Sequence, residues 1–142
     1  MILILPAGLI QGALIVIVTC YANSGPRAER NGLLGIRSWA TTFSKEAWQA
    51  GHRAGIFYSW LLGGVTVLSL IIGLWLLRGE PPPSEAIISA YTLETLVGTL
   101  AITGLMILRA HRSAKHVAIA QVLQEEGDEI DALLTEKYGD DH

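Results

Sequence analysis

Two groups of polar residues in this chain could do chemistry. The first is Glu94, the one carboxylic acid inside a long apolar run, where it could serve as a proton or cation site. The alternative is that this acid lies near the outer face of the bilayer, where it is protonated or bonded to a neighbouring helix. Nearby threonines favour this packing interpretation, because they form one helical stripe suited to contact with another helix: Thr92, Thr95, Thr99 and Thr103.

The second group lies in residues 31–55, where dissimilar polar side chains are crowded along the chain. The candidates are Asn31, Gly35, Arg37, Thr42, Ser44, Trp48, His52 and Arg53. Ser44 is a typical helix N-cap with Glu46 in the first turn, and the following helix places Trp48 and His52 on one face. We predict that the polar members form a hydrogen-bonded cluster that folds this loop against the helix ends. The alternative is that the arginines are ordinary charges beside lipid phosphates and that Trp39 and Trp48 are interface anchors.

Three apolar segments must position these residues. They cover about residues 1–21, 56–77 and 86–108, each near the ~20 residues that cross a bilayer as a helix. Only 16% of the chain is charged, against about 25% in soluble domains. All three segments must be helices, because a lone strand would leave backbone groups unpaired in hydrocarbon. The sequence therefore predicts an all-α membrane protein, with a transmembrane domain over residues 1–110 and a tail over 111–142.

The distribution of basic residues predicts the orientation. The loop between the first two spans carries five bases, and three more follow the third span: Arg27, Arg30, Arg37, Lys45 and Arg53, then Arg109, Arg112 and Lys115. Short basic loops stay in the cytoplasm. We therefore expect the N-terminus outside, the C-terminus in the cytoplasm, and the first loop lying along the cytoplasmic interface.

Proline and glycine mark the connections between the spans. Residues 79–85 contain three consecutive prolines, which should end the second helix, and Ser84 should cap the third. In the first span, Gly8 and Gly12 allow close helix contact, across which Gln11 could hydrogen-bond. Cys20 is the only cysteine. It is expected to be a helix residue facing lipid or protein, with lipoprotein cleavage as the weaker alternative.

The tail has a different composition from the rest of the chain. Residues 1–115 have a charge balance of +4 and residues 116–142 one of −7. Apolar residues recur at helical spacing within the acidic segment: Ile119, Val122, Leu123, Ile130, Leu133 and Leu134. The pattern predicts one long or two short amphipathic helices. Their apolar stripe is suited to a protein surface, while the alternative is a solvated, frayed chain end.

The order of polar residues in the first loop resembles the motif of the SdpI family, the immunity proteins against a secreted bacterial killing peptide and their relatives. The matching residues are Asn31, Gly35, Ile36, Arg37, Thr42, Ser44, Trp48, His52, Arg53 and Gly55. Ser38 stands where the family usually has threonine. The resemblance covers roughly residues 25–110. It implies a multi-pass protein of the bacterial plasma membrane, with immunity or resistance to a membrane-active peptide as its function.

Several other classes of function are not indicated. There is no Gly-rich phosphate loop, nucleophile motif or paired carboxylate, so we expect neither enzymatic activity nor a cofactor. None of the four histidines lies inside a span, so no haem or metal site is expected: His52, His111, His116 and His142. No basic face suggests nucleic acid. Besides the bilayer, the expected partners are a membrane or cytosolic protein, or a second copy. Two alternative functions therefore remain open, an accessory subunit of a larger membrane complex and an anchor that binds a cytosolic regulator through its tail.

Overall fold

The computed structural model describes residues 3–30 and 34–138. Within these residues the chain forms three α-helices and no strand: α1 (Ile4–Ser24), α2 (Lys45–Arg78) and α3 (Glu85–Tyr138). Each helix contains a segment long and apolar enough to cross a membrane. The prediction of an all-α protein with three potential membrane-spanning helices is therefore confirmed.

The central helix of the fold is α2, which packs against both α1 and α3. The three helices are antiparallel in sequence order. On the α1 side, Ile17 lies against Gly63 and Leu3 against Gly73, and on the α3 side Tyr91 lies against Gly73 and Met106 against Gly55. Small residues of α2 at these crossings let the neighbouring helices approach closely.

The ends of α2 follow the predicted capping and stop signals. The Ser44 hydroxyl accepts a hydrogen bond from the Ala47 backbone N–H at 3.0 Å, and Glu46 lies in the first turn. The helix ends at Arg78, directly before Gly79 and the prolines. The Ser84 hydroxyl accepts from the Ile87 backbone N–H at 3.4 Å at the start of α3. Local sequence chemistry therefore places both ends of the turn between α2 and α3.

The third helix continues well past the predicted end of its membrane span. Its 54 residues run without interruption from Glu85 to Tyr138, a length of about 80 Å at 1.5 Å per residue. No proline follows Glu85, and Gly127 lies inside the helix. The third membrane span and the tail thus belong to one continuous helix. The domain boundary that we predict at residue 110 does not coincide with a break in secondary structure.

The middle of the threonine stripe of α3 is buried, and one of its members, Thr95, contacts α2. Thr95 and Thr99 are buried, and the Thr95 and Ser69 hydroxyls lie 3.4 Å apart. The Tyr91 hydroxyl donates to the Ser69 carbonyl at 2.6 Å. These bonds between helices stabilise the α2–α3 contact in a region where no water competes for them.

The glycine pattern of α1 has no partner among the described residues. Gly8, Gln11 and Gly12 are exposed, and a methyl group added at either glycine would meet no atom within 4 Å. Neither α2 nor α3 therefore covers the face of α1 that carries Gly8 and Gly12. Cys20, by contrast, is buried within α1.

Candidate functional site

The loop and the first turns of α2 form a compact buried unit around Trp48 and His52. Both side chains have no exposed surface, and their ring centroids lie 4.3 Å apart with planes tilted by 42°. Their spacing of four residues puts them one helical turn apart on the same face. The prediction that these two residues share a face is confirmed.

Both ring nitrogens of His52 are hydrogen-bonded, one to the loop and one to the backbone of α2. Its Nε2 accepts a hydrogen bond from the Ile36 backbone N–H at 2.9 Å, and its Nδ1 lies 2.8 Å from the Trp48 carbonyl. Because a backbone N–H can only donate and a carbonyl can only accept, Nδ1 carries the proton and Nε2 does not. The imidazole is therefore neutral, and a second proton would break its bond to the loop.

Gly35 makes the close approach of the loop to these rings possible. Its φ is +137°, a conformation that residues with a Cβ rarely adopt. A Cβ at this position would lie 2.6 Å from His52 Nε2 and 2.6 Å from Trp48 Cη2. Backbone geometry and lack of space thus both require glycine here.

Thr41 joins two parts of the loop by hydrogen bonds from its side chain. Its hydroxyl donates to the Ile36 carbonyl at 2.8 Å and accepts from the Ser38 backbone N–H at 2.8 Å. The side chain is fully buried, with its methyl group facing Gly51. Thr42 adds a bond from its hydroxyl to the Ser38 carbonyl at 2.9 Å. Thr41 is absent from the predicted site, although its spacing of three from Ser38 is a local signal for such a turn.

Asn23 connects the buried unit to α1. Its Oδ1 accepts from Trp48 Nε1 at 3.1 Å, and Asn23 itself is buried. Arg53 donates to the Ser24 carbonyl at 3.2 Å, and Gln49 donates to the Ala28 carbonyl at 3.0 Å. Asn23 was also missed, because no local pattern identifies a partner 25 positions away in the chain.

The third helix covers the other side of the loop. Ala40, Ala47 and Ala114 form a buried cluster, and the Ser113 hydroxyl donates to the Ala50 carbonyl at 3.3 Å. Gln121 donates from its amide nitrogen to the Glu46 carboxylate at 3.1 Å. Loop, start of α2 and middle of α3 therefore form one packed unit.

The remaining predicted site residues lie at the edge of this unit or beyond it. Arg37 is exposed and lines a shallow groove with Cys20 and Met106. Thr42 is exposed and Ser44 is half-buried. Asn31 lies outside the described residues. The polar cluster thus has His52 and Trp48 at its centre. Two further members, Thr41 and Asn23, were not among the predicted site residues.

The two tryptophans of this region have different environments. Trp39 is 59% exposed and makes an edge contact with His111 at 5.7 Å between ring centroids. Trp48 is fully buried, and its N–H is bonded to protein. The interpretation of Trp48 as an interface anchor is therefore wrong, because the folded loop covers the ring.

Titration of His52 should make stability depend on pH. His52 precedes the apolar segment of α2, which we predict to begin at Ile56. Burial lowers the pKa of His52 below its ordinary 6.5, partly opposed by the bond to the Trp48 carbonyl. Above pH 6.5 the ring is neutral in both folded and unfolded chains. As the pH is lowered through 6.5, the unfolded chain binds a proton at His52 before the folded chain does. The free energy of unfolding should therefore decrease as the pH decreases.

This pH dependence can be isolated with a His52→Gln variant. Unfolding free energies measured in detergent between about pH 7.5 and 5 should fall more steeply for the parent protein than for the variant. The other histidines are common to both proteins and cancel in the difference. Parallel curves would contradict the assignment of a neutral, structural His52.

Glu94 and the histidines complete the predicted sites. Glu94 is exposed and lines a groove between α2 and α3. Its carboxylate makes no hydrogen bond or ion pair with any residue of 3–30 and 34–138. The two interpretations of Glu94, as a proton or cation site and as a protonated or packing residue, therefore stay predictions. In the same ranges no three His, Cys, Asp or Glu side chains are grouped as a metal site would require. His142 lies outside them.

Fold and site together define a small helical membrane protein whose first loop is a structured element locked between its helices. The chain belongs to the SdpI/YfhL protein family, whose model matches residues 27–110. This match confirms the resemblance seen in the loop motif. No curated protein and no solved structure matches the chain.

Proposed function

We propose that this protein is a non-enzymatic membrane protein that gives its cell immunity or resistance to a membrane-active peptide. The observation that carries the proposal is the family match over residues 27–110, which includes the loop, the whole of α2 and the apolar segment of α3. The loop motif is built into the fold through Gly35, Trp48 and His52. This supports a role for the loop as the scaffold that sets the positions of the helices.

We further propose that the protein lies in the bacterial plasma membrane with its N-terminus outside and its C-terminus in the cytoplasm. The antiparallel packing supports this, because it gathers the bases of the first loop and those after the third span at one end of the molecule. The exposed rings of Trp39 and Phe43 at this end suit the cytoplasmic interface. The proline turn and the outer halves of α2 and α3 then face the side from which a secreted peptide arrives.

The immunity proposal is tested by expressing the chain in a sensitive bacterium that lacks such a protein. Challenge with a secreted killing peptide of the kind countered by SdpI proteins should leave at least roughly ten times more survivors than an empty vector, as expected if binding in the membrane removes most free peptide. The Gly25→Ala variant should protect, since a methyl group there meets no atom within 4 Å. Gly35→Ala should not. Equal survival with and without the protein would contradict the proposal.

The open face of α1 favours a second candidate, an accessory subunit of a larger membrane complex. Gly8, Gln11 and Gly12 are exposed on a helix that must lie in the membrane, and such a face is suited to a further helix. In gentle detergent, a stoichiometric membrane protein co-purifying with the parent chain and lost on Gly12→Leu substitution would favour this function.

The exposed end of α3 favours a third candidate, an anchor for a cytosolic regulator. The apolar stripe of the tail is exposed from Ile119 to Leu134. Leu123 is 15 residues beyond Leu108, about 22 Å at 1.5 Å per residue, which takes the stripe beyond the hydrocarbon if α3 continues straight. A soluble protein that co-purifies with the full chain and is lost on removing residues 122–142 would favour this function.

A further inference from the structure

A groove between α2 and α3 runs along the half of the helices nearest the proline turn. It encloses about 460 Å³. Its walls are mostly apolar and include Val65, Leu68, Ile72, Leu76 and Ile87. A space of this size and character suits a peptide side chain or a short helical segment better than water.

One acid interrupts the apolar wall. Glu94 lies nine residues after the start of α3 at Glu85, about 13 Å along the helix axis at 1.5 Å per residue. A carboxylate at membrane depth costs about 2.5–3.5 kcal/mol on insertion scales. Its exposed side chain is without a bonding partner among the described residues, so the packing of this chain does not offset that cost.

The other polar groups of the groove are already occupied with each other. Tyr91 donates to the Ser69 carbonyl, and the Thr95 hydroxyl bonds the Ser69 hydroxyl. All three residues are buried. The contact between α2 and α3 therefore has no need of Glu94, which is left to interact with whatever enters the groove.

The groove can be reached from the membrane surface. A second hollow at the turn is lined by Trp75, Arg78, Pro81 and Pro83, and it shares Leu76 and Ile87 with the groove. The two hollows therefore adjoin each other at Leu76 and Ile87, and the groove that contains Glu94 begins next to the turn. Charged residues at the turn are Arg78, Glu80 and Glu85, a balance of −1 that favours the approach of a cation.

We propose that this groove binds an apolar peptide segment carrying one basic side chain, whose cationic group pairs with the Glu94 carboxylate. The proposal rests on the proposed function and names the site at which a membrane-active peptide is held. A cation beside Glu94 would offset the cost of leaving this carboxylate unpaired at membrane depth, which favours a cationic ligand over a neutral one.

Other occupants fit the groove less well. Lipid amines lie in the headgroup layer, while Glu94 is about 13 Å along the helix from its start. A second copy of this chain would bring no base from its apolar segments, because residues 1–21, 56–77 and 86–108 contain neither Lys nor Arg. Self-association here would leave both carboxylates without a cation.

The first test uses the full chain in proteoliposomes with two dansyl-labelled peptides. Both are helical, about 16 residues long and composed of Leu and Ala, and they differ only in a central Lys or norleucine. The Lys peptide should bind roughly tenfold to hundredfold more tightly. Glu94→Gln should remove that preference, whereas Glu125→Gln, which removes the same charge from the exposed tail, should keep it.

A second pair of variants tests the groove without changing charge. Gly98 lines the groove, while Gly104 is exposed on the same helix and is not among the lining residues. An added Cβ meets no atom within 4 Å at either position. Gly98→Leu should therefore fill the groove and weaken binding of both peptides, and Gly104→Leu should leave binding unchanged.

The outcomes separate this inference from the proposed function. Equal binding of the Lys and norleucine peptides to the parent chain, or an unchanged preference in Glu94→Gln, would overturn the groove assignment even if the protein protects cells. A change of oligomeric state in Glu94→Gln without any change in peptide preference would also overturn it. A Glu94-dependent preference in a chain that gives no protection would support the site and contradict the immunity function.

Discussion

Replacing Gly35 with alanine should cause the largest loss of stability of any single methyl addition in the loop. The backbone at +137° is strained for alanine, which costs about 1–3 kcal/mol. The new Cβ would also overlap the His52 and Trp48 rings, at 2.6 Å from each, and overpacking of this kind adds about 1–3 kcal/mol. Together these effects can approach the whole stability of a small protein.

The measurement is unfolding in mild detergent followed by circular dichroism, with Gly25→Ala as the matched control. Gly25 has φ −80° and ψ 162°, which alanine adopts without strain. The control should unfold at nearly the parent temperature. If Gly35→Ala did so as well, the close packing of the loop on Trp48 and His52 would be refuted.

Replacing Trp48 with alanine should be nearly as damaging, for a different reason. The ring is fully buried, and truncating such a side chain typically costs about 3–5 kcal/mol. The change also removes the N–H donor to Asn23, which joins α2 to α1, and the ring against which His52 packs. We expect both the loop and the α1–α2 contact to loosen together.

Trp75 provides the matched control for Trp48. It lies on the same helix and is 73% exposed, so its truncation should change the unfolding temperature little. Trp48→Phe should be less damaging than Trp48→Ala, because it keeps an aromatic ring in the site while it removes the N–H donor and part of the buried volume. A Trp48→Ala protein as stable as Trp75→Ala would rule out the buried unit as a source of stability.

The gross architecture could be predicted because its signals are local. A run of about 20 apolar residues is sufficient for a membrane helix, and Ser44, Ser84 and the prolines act within a few positions of themselves. The pairing of Trp48 with His52 follows from a spacing of four. The loop motif alone also pointed to the family that the match over residues 27–110 shows.

The interior of the site could not be predicted, because its partners are distant in the chain. Asn23 meets Trp48 across 25 positions, and His52 meets Ile36 across 16. Before the helices are packed, no residue type distinguishes a tryptophan that anchors in the interface from one that is covered by a loop. From the sequence alone Trp48 could therefore be interpreted as an interface anchor, although the folded chain covers it completely.

The sequence by itself thus determined the number of helices, their caps, the turn and the family, since each depends on composition or spacing within a short window. Only the tertiary structure decided that α2 is the central helix, that α3 is one continuous helix, and that Thr41 and Asn23 complete the buried unit. It also placed Glu94 in an open groove between α2 and α3. These features depend on which faces meet after folding, and the energy that selects among such faces comes from contacts between distant segments.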